Sequence, residues 1–424
     1  MKRLIVIALA MLSIHSTYAE KLALVGSKIH TMSEQGVIEK GSVLVSDGNI
    51  VSVIEGTEVP SEYRVVDVSG KVISPGFIGA LTSLGLVEVS SSSGVVDASI
   101  ETSPITKTGA ALDVSYGINP DSSLFEITRL EGMTAAATGM MGGHFLFNGQ
   151  GAVISLDGDE PVIKSQAFIS VDVGGKGAEV AGGSRASLWV MLEKVINEAA
   201  STKSNVTSTT PWFGLSSRED LPVIKQVIAG DIPLFMKADR AADIRQVIAF
   251  KKRHPSINLV LVHGVEAWRE AKALAEAKIP VIIDPEYNLP GGFDQMGATL
   301  ANAARLEQAG VEVAIGMDTH NIRLAAQHAG NAVANGLSYE AGLASLTRVP
   351  AKILGLDSQI GVLAKDARAD IVVWSGDPLE VTEAAEMVII NGQFVDMESR
   401  QTKLRDRYLS LMQSDAKKPS YYYR

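Results

Sequence analysis

The chain has 424 residues, of which 46% are hydrophobic and 20% are charged, and its formal net charge at pH 7 is −10. This composition indicates a globular protein long enough for a large core and two structural units, and its acidic balance disfavours nucleic acid or an anionic membrane as a partner. There is no cysteine, which excludes a disulfide framework, a zinc–thiolate site and a cysteine nucleophile.

The first 19 residues have the pattern of a secretory signal peptide. Lys2 and Arg3 give a positive start, residues 4–14 are apolar, and residues 17–19 include small residues suited to cleavage. The apolar run is too short for a membrane span. We therefore expect residues 1–19 to be removed, the mature protein to begin near Glu20, and the protein to be exported to a bacterial periplasm.

Both ends of the mature chain are predicted to be β-structure. A hairpin pattern covers residues 43–54, and short strand patterns recur over residues 370–395. Neither end has a core of its own, so we predict that residues 20–74 and 355–400 pair into one small composite β-sandwich. Residues 401–424 are predicted to form a C-terminal helix and tail.

Residues 75–354, between these ends, alternate strand and helix patterns. Eight apolar runs are typical of buried parallel strands, at residues 72–78, 135–138, 168–171, 212–215, 234–236, 258–262, 281–283 and 311–315. Helical patterns lie between the later runs, at residues 220–228, 241–251, 266–277 and 297–309. The sequence thus predicts an α/β fold, a (β/α)8 TIM barrel inserted in the composite sandwich. An open doubly wound sheet is the alternative, disfavoured because no Gly-x-Gly-x-x-Gly follows a strand.

Residues 88–123 do not fit a simple strand–helix unit. The segment is rich in serine and glycine and follows directly on the first barrel strand. It would therefore leave from the carboxyl-terminal face of the barrel, where barrel enzymes keep their active sites. A functional lid and an insertion that only covers surface are both compatible with the sequence.

Four polar residues follow apolar runs that would end at the barrel mouth. His263 and Lys237 each end such a run, and Asp318 and His320 follow the last one. If the last strand continues, Asp318 and His320 face the same side. Asp318 and Lys237 are the candidate catalytic residues, and His263, Asp318 and His320 are the candidate ligands of one zinc ion, if a metal is bound at all.

The other histidines of the mature chain have simpler explanations. His30 lies in the N-terminal strand region, His254 ends a helix before a proline, and His328 lies in a helical stretch. His144, in a glycine-rich loop, has the reach to join the mouth but no support from spacing.

Several segments together resemble one enzyme family. They are Pro75-Gly76-Phe77-Ile78-Gly79-Ala80-Leu81-Thr82-Ser83, Arg368-Ala369-Asp370-Ile371-Val372-Val373-Trp374, and the segments at residues 41–50 and 341–356. Over essentially the whole mature chain they resemble the amidohydrolase superfamily, in particular its imidazolonepropionase-like branch. The resemblance implies a barrel that binds one or two divalent cations, which activate water to attack an amide or imine carbon.

The resemblance also implies that the metal site is degenerate. The histidine pair of the family's first strand falls on Leu81 and Ser83, neither of which is a good metal ligand. The strand-five histidine falls on Lys237. The strand-six histidine is kept as His263, and the strand-eight aspartate, a ligand and general base in the family, is kept as Asp318. The pattern is similar to a group of exported relatives that lack the histidine pair.

Two functions stay open at this point. The first is a hydrolase acting on non-peptide carbon–nitrogen bonds of a small substrate, with at most one divalent metal such as zinc, because residues 211–215 contain no lysine for the bridging position. The second is a catalytically silent binding or partner protein without metal, in which Lys237 replaces the cation and pairs with Asp318. Such a protein would bind a small ligand, form a homo-oligomer or pair with an active paralogue. Neither hypothesis requires nucleic acid or a membrane.

Overall fold

A computed structural model describes the chain over residues 21–88, 96–158, 160–202, 206–207, 209, 211–287 and 289–413. The predicted signal peptide and the predicted tail beyond residue 413 lie outside the described residues. No helix within these ranges is both long enough and apolar enough to cross a membrane.

The strands and helices alternate along most of the chain. The strands are β1 (Leu22–His30), β2 (Val37–Ser46), β3 (Asn49–Glu55), β4 (Arg64–Asp67), β5 (Val72–Pro75), β6 (Phe77–Thr82), β7 (Ser99–Ile100), β8 (Met133–Thr138), β9 (Gly142–Gly143), β10 (Phe147–Ser155), β11 (Val162–Asp172), β12 (Leu234–Ala238), β13 (Leu259–His263), β14 (Val281–Ile283), β15 (Val313–Ile315), β16 (Ile371–Trp374), β17 (Ala385–Ile390) and β18 (Gln393–Phe394). The α-helices are α1 (Ser123–Arg129), α2 (Gly175–Val180), α3 (Arg185–Ser201), α4 (Asp220–Ala229), α5 (Ala241–Arg253), α6 (Ala271–Glu276), α7 (Asn302–Gln308), α8 (Ala325–Ala334), α9 (Tyr339–Ala344), α10 (Arg348–Ile353) and α11 (Arg400–Gln413).

Strands from both ends of the chain pair in one mixed sheet. Its order is β18-β17-β16-β5-β1-β2-β3, and β4 pairs with β1. The two ends meet where β16 runs antiparallel to β5. The pairing of the chain ends is therefore observed, whereas a sandwich of two packed sheets is not confirmed. The predicted domain boundaries stay a prediction.

The second sheet forms the barrel, in the order β15-β14-β13-β12-β11-β10-β8-β6. Strand β10 runs antiparallel to both of its neighbours, β8 and β11, whereas all the other pairings are parallel. The prediction of eight parallel strands was wrong at this point. The connections on both sides of β10 are too short for a helical crossover, and short connections join antiparallel strands.

The barrel is nearly closed between its first and last strands. The backbone N–H of Ile315 in β15 donates to the carbonyl of Ser345, and the N–H of Ile78 in β6 donates to the carbonyl of Leu346. Beyond the strand ends, the N–H of Ser83 donates to the carbonyl of Thr319. The segment after α9 therefore bridges the gap and satisfies backbone donors of both strands.

Two of the predicted strands differ in the structure. The run at residues 72–78 divides at Gly76, because β5 belongs to the mixed sheet and β6 begins the barrel. The chain passes close to Thr134 at this point, where a Cβ atom on residue 76 would lie 2.1 Å from the Thr134 hydroxyl. Residues 212–215 do not form a strand. These residues form a loop before α4, in which Phe213 is 95% exposed and the N–H of Leu215 donates to the carboxylate of Glu198 in α3. The eighth barrel strand is β10 instead, which was not predicted.

Candidate active site

The three residues predicted at strand ends do meet at the barrel mouth. Lys237 lies in β12, His263 is the last residue of β13, and Asp318 lies in the loop that follows β15. Strands β12 and β13 are paired in parallel, with Ala238 opposite His263. Because the carboxyl ends of parallel strands lie at one edge of the sheet, their side chains converge there.

Asp318 is the centre of a chain of polar contacts. Its Oδ2 accepts from the Lys237 ammonium at 2.5 Å and from His263 Nε2 at 2.9 Å. The other imidazole nitrogen, Nδ1, lies 3.8 Å from Asp239 Oδ1. All four side chains are largely buried, with exposed fractions between 13% and 22%. The site thus alternates cation and anion from Lys237 to Asp239.

Sequence reasoning missed two members of this chain, Asp239 and Gln295. The Asp239 carboxylate accepts from Gln295 Nε2 at 2.9 Å and from the N–H of Val265 at 3.3 Å. The amide oxygen of Gln295 in turn accepts from the N–H of Gly291. Asp239 stands two residues after Lys237, a spacing that would have placed both at the mouth. Gln295 ends a short 3-10 helix, Phe293–Gln295, and carried no such signal.

The backbone at two site residues lies in the left-handed region. His263 has φ of 69° and Asp318 has φ of 43°. Non-glycine residues rarely adopt these values, at a cost of about 1–3 kcal/mol each, and they persist where the surroundings enforce them. Both strands therefore end in a strained turn that brings the imidazole and the carboxylate together.

Opposite charges shift the pKa values in this chain. Burial raises the pKa of the Asp318 carboxyl, but the hydrogen bond from His263 and the charge of Lys237 outweigh it and hold the pKa well below its usual range. Burial lowers the pKa of the His263 imidazole, but the hydrogen bonds to Asp239 and Asp318 outweigh it and raise the pKa. Asp318 is therefore ionised at neutral pH, and protonated His263 is favoured.

The raised pKa of His263 predicts a pH-dependent stability difference. A group whose pKa is higher in the folded state stabilises the fold fully below its unfolded pKa, here about 6.5, and this contribution is lost as the pH rises through the folded pKa. In urea unfolding, wild-type protein should exceed His263→Gln in stability by more at about pH 5.5 than at about pH 9. His144→Gln removes an exposed imidazole and serves as the control. A difference that is constant or grows with pH would contradict the assignment.

Lys237 lies where three cavities meet. A cavity of about 660 Å³ is lined on one side by Asp239, His263 and Tyr287. A second, of about 230 Å³, is lined by Asn148 and its neighbours. A third, of about 20 Å³, contacts Asp318 and lies toward the barrel interior. Lys237 lines all three, so its ammonium is accessible to a small molecule from more than one side.

Four of the five described histidines outside the chain, namely His30, His144, His254 and His328, have partners away from it. His144 Nε2 lies 3.0 Å from Glu101 in an exposed pair, His254 Nε2 lies 2.9 Å from Glu193, and His328 Nδ1 lies 3.2 Å from Asp284. His30 packs against the Tyr339 ring. These contacts explain the four residues without a role at the barrel mouth.

Comparisons with known proteins agree with this architecture. The model of the amidohydrolase family matches residues 251–396. An amidohydrolase from Thermotoga maritima superposes with a TM-score of 0.76 and is 28% identical, covering 90% of this chain and 100% of its own. Amidohydrolase tasK from Hapsidospora irregularis is 48% identical over 63 residues, which span 14% of this chain and 6% of that protein. These matches support the amidohydrolase superfamily.

The superfamily is commonly metal-dependent, which makes the donor set of this site informative. An adenosine deaminase from Xanthomonas campestris with bound zinc has the same fold, with a TM-score of 0.51, 16% identity, and coverage of 93% of this chain and 98% of its own. Among the described residues here, no three His, Asp or Glu side chains are placed to hold a metal ion. The predicted set of His263, Asp318 and His320 is therefore not assembled as a metal centre.

The atoms at the mouth explain why a metal does not fit. Leu81 is 6% exposed and lines the smallest of the three cavities beside Lys237 and Asp318. An alkyl side chain therefore stands where the resemblance places a lost histidine ligand. Ser83 is buried as well. Asp318 Oδ2 already accepts from the Lys237 ammonium and from His263, which leaves only the buried Oδ1 of this carboxylate to a cation. A dication beside an ammonium would also meet direct repulsion.

Proposed function

We propose that the protein is a hydrolase of the amidohydrolase superfamily that cleaves a non-peptide carbon–nitrogen bond of a small substrate without a metal ion. The observation that carries this proposal is the chain Lys237–Asp318–His263–Asp239 at the barrel mouth. In it the Lys237 ammonium supplies a fixed positive charge beside a carboxylate and an imidazole. A charge held in place before reaction is the usual means of stabilising an oxyanion.

The same residues can carry a balanced proton cycle. Water attacks the carbonyl carbon and loses a proton to the Asp318 carboxylate, whose side chain is 18% exposed. The developing oxyanion is stabilised by the Lys237 ammonium. The C–N bond breaks as His263 Nε2 gives its proton to the leaving nitrogen, and the proton on Asp318 then returns to His263. General acid–base steps of this kind contribute about 10²–10⁴ in rate.

Chelation tests the proposal directly. Protein purified without a chelator or a histidine tag should contain no stoichiometric metal, and its hydrolysis of small amides and cyclic imides should be unchanged after dialysis against EDTA. Proline dipeptides should be included in the same screen, and their hydrolysis in preference to the amides would contradict the proposed non-peptide substrate. About one equivalent of zinc, lost in His263→Ala together with activity, would contradict a metal-free mechanism.

A second candidate function is a catalytically silent binding protein. It is favoured by the low pKa of Asp318, since a carboxylate so strongly stabilised as an anion is a weak base. In this case the ion pair replaces the metal only structurally, and the cavities bind a ligand or the protein pairs with an active paralogue. Tight binding of a small amide with no turnover at any pH would support this function over hydrolysis.

Two further proposals concern the setting in which the protein works. Export to a periplasm rests on the N-terminal pattern of residues 1–19, and the lack of a nucleic-acid or membrane partner rests on the net charge of −10. Mass spectrometry of the mature protein from cell fractions tests the first, since a mass starting near Glu20 in the periplasmic fraction is expected. Homo-oligomerisation also stays a proposal.

A further inference from the structure

Of the three cavities around Lys237, the two larger ones, of about 660 and 230 Å³, share a wall at the barrel mouth. Lys237, Asp172 and Lys176 line both of them. Asp172 and Lys237 are also register partners on adjacent parallel strands. A molecule whose reacting carbonyl contacts the Lys237 ammonium therefore borders both cavities.

Resting on the proposed function, we propose that the substrate binds across Lys237, with a short aliphatic group in the smaller cavity and an amine-bearing group in the larger one. The substrate class is then a small amide with an apolar group on one side of the C–N bond and a cation on the other. The walls of the two cavities carry this assignment.

Four apolar side chains line the smaller cavity, beside Asn148, Asp172 and two lysines. Met141, Phe145, Leu146 and Val180 contribute to its wall, and its volume is about 230 Å³. Burying each additional CH₂ group in such a space improves binding by about fourfold. The cavity therefore favours a short branched alkyl group and limits its length.

The larger cavity combines carboxylates with aromatic rings. Four acidic residues line it, namely Asp172, Glu179, Asp239 and Asp294. Tyr287 and Phe293 contribute rings, and Phe293 is 92% exposed at the rim. Asp239 and Asp294 already pair with His263 and Arg185, so Asp172 and Glu179 are the carboxylates offered to a cation. Of the two lysines there, Lys237 is paired with Asp318. Carboxylates beside aromatic faces favour a cationic group through ion pairing and cation–π contact.

One glycine in each wall allows the cavities to be tested separately. Gly142 lines the smaller cavity and Gly292 lines the larger. A Cβ atom added at either would meet nothing within 4 Å. Gly292 has an extended φ of −174°, and neither glycine has a positive φ. Gly142→Leu and Gly292→Leu should therefore each fill part of one cavity without displacing the backbone.

Binding of three related amides to the full chain, measured by calorimetry, tests the assignment. The probes are isobutyryl putrescine, acetyl putrescine and the uncharged isobutyryl pentylamine. In the wild type, isobutyryl putrescine should bind roughly tenfold more tightly than acetyl putrescine, which lacks two carbons. Isobutyryl putrescine should also bind at least about threefold more tightly than isobutyryl pentylamine, which lacks the cation.

The two variants should separate these preferences. Gly142→Leu is expected to remove the preference for isobutyryl over acetyl and to keep the preference for the amine, and Gly292→Leu is expected to do the reverse. The inference is overturned if both variants change both preferences alike, if neither changes any, or if the wild type binds none of the probes. Turnover is measured separately on the same samples. Selective binding without turnover contradicts only the proposed hydrolysis, and turnover without this pattern contradicts only the two-cavity assignment.

Discussion

Lys237→Met should lower kcat/KM for a hydrolysed amide by at least about 100-fold, the loss seen when a single oxyanion-stabilising donor is removed. Methionine keeps much of the length and apolar stem of lysine but has no charge. The Lys237 ammonium lies 2.5 Å from Asp318 and lines all three cavities at the mouth, so nearly every productive substrate position would be affected. Steady-state kinetics with the best amide from the screen is the measurement.

The loss should appear mainly in kcat, because the ammonium acts on charge that develops in the transition state. Lys272→Met is the control, since the Lys272 side chain is 91% exposed and lines none of these three cavities. It should change kcat by less than about threefold. A Lys237→Met enzyme that keeps wild-type kcat would show that the ammonium has only a structural role.

Folding should survive the loss of Lys237, although stability should fall. Removing one partner of a buried ion pair typically costs about 3–5 kcal/mol. Here the cost should be smaller, because the Lys237 side chain is 22% exposed and Asp318 keeps its bond from His263. Circular dichroism and urea unfolding separate this effect from the kinetic one. An unfolded variant would be replaced by Lys237→Gln, which retains a donor.

The site was partly predictable because strand ends are readable in sequence. An apolar run that ends in a polar residue marks the mouth of a parallel barrel, and this rule selected Lys237, His263 and Asp318. His320 was predicted as a zinc ligand on the assumption that β15 continues past Asp318, and no three described His, Asp or Glu side chains are placed to hold a metal. The strand ends at Ile315, and Asp318 has a positive φ that turns the chain. Periodicity arguments do not hold beyond a turn.

Other features depend on contacts distant in sequence. Strand β10 lies in a glycine-rich segment with weak alternation, and its direction follows from the short connections around it. Gln295 hydrogen-bonds to Asp239, which lies beside His263, so this contact joins two segments that are far apart in the sequence. Residues 99–100 of the predicted insertion pair with residues 142–143, beside the smaller cavity. The direction of β10 thus has a local cause, whereas the other two pairings have no local signature and are fixed by packing of the whole barrel.

The double variant Leu81→His/Lys237→His should bind about one equivalent of zinc, whereas the wild type should bind none. Leu81, Lys237 and Asp318 line the same small cavity, and His263 contacts Asp318. Replacing the alkyl group and the ammonium with imidazoles would therefore place three nitrogens and one carboxylate around one point. That set suits tetrahedral zinc. Elemental analysis after exhaustive dialysis is the measurement.

Partial variants separate the two obstacles to metal binding. Leu81→His alone should bind no zinc, because the Lys237 ammonium still repels a dication and occupies Asp318. Lys237→His alone frees Asp318 and offers three ligands, so weak zinc binding that a chelator removes is expected. Adding Asp318→Asn to the double variant should lower its affinity by at least about tenfold. A folded double variant without zinc would show that positions 81 and 237 do not converge. Zinc in the double variant alone would instead mean that the ammonium and the leucine are together what excludes metal from this barrel.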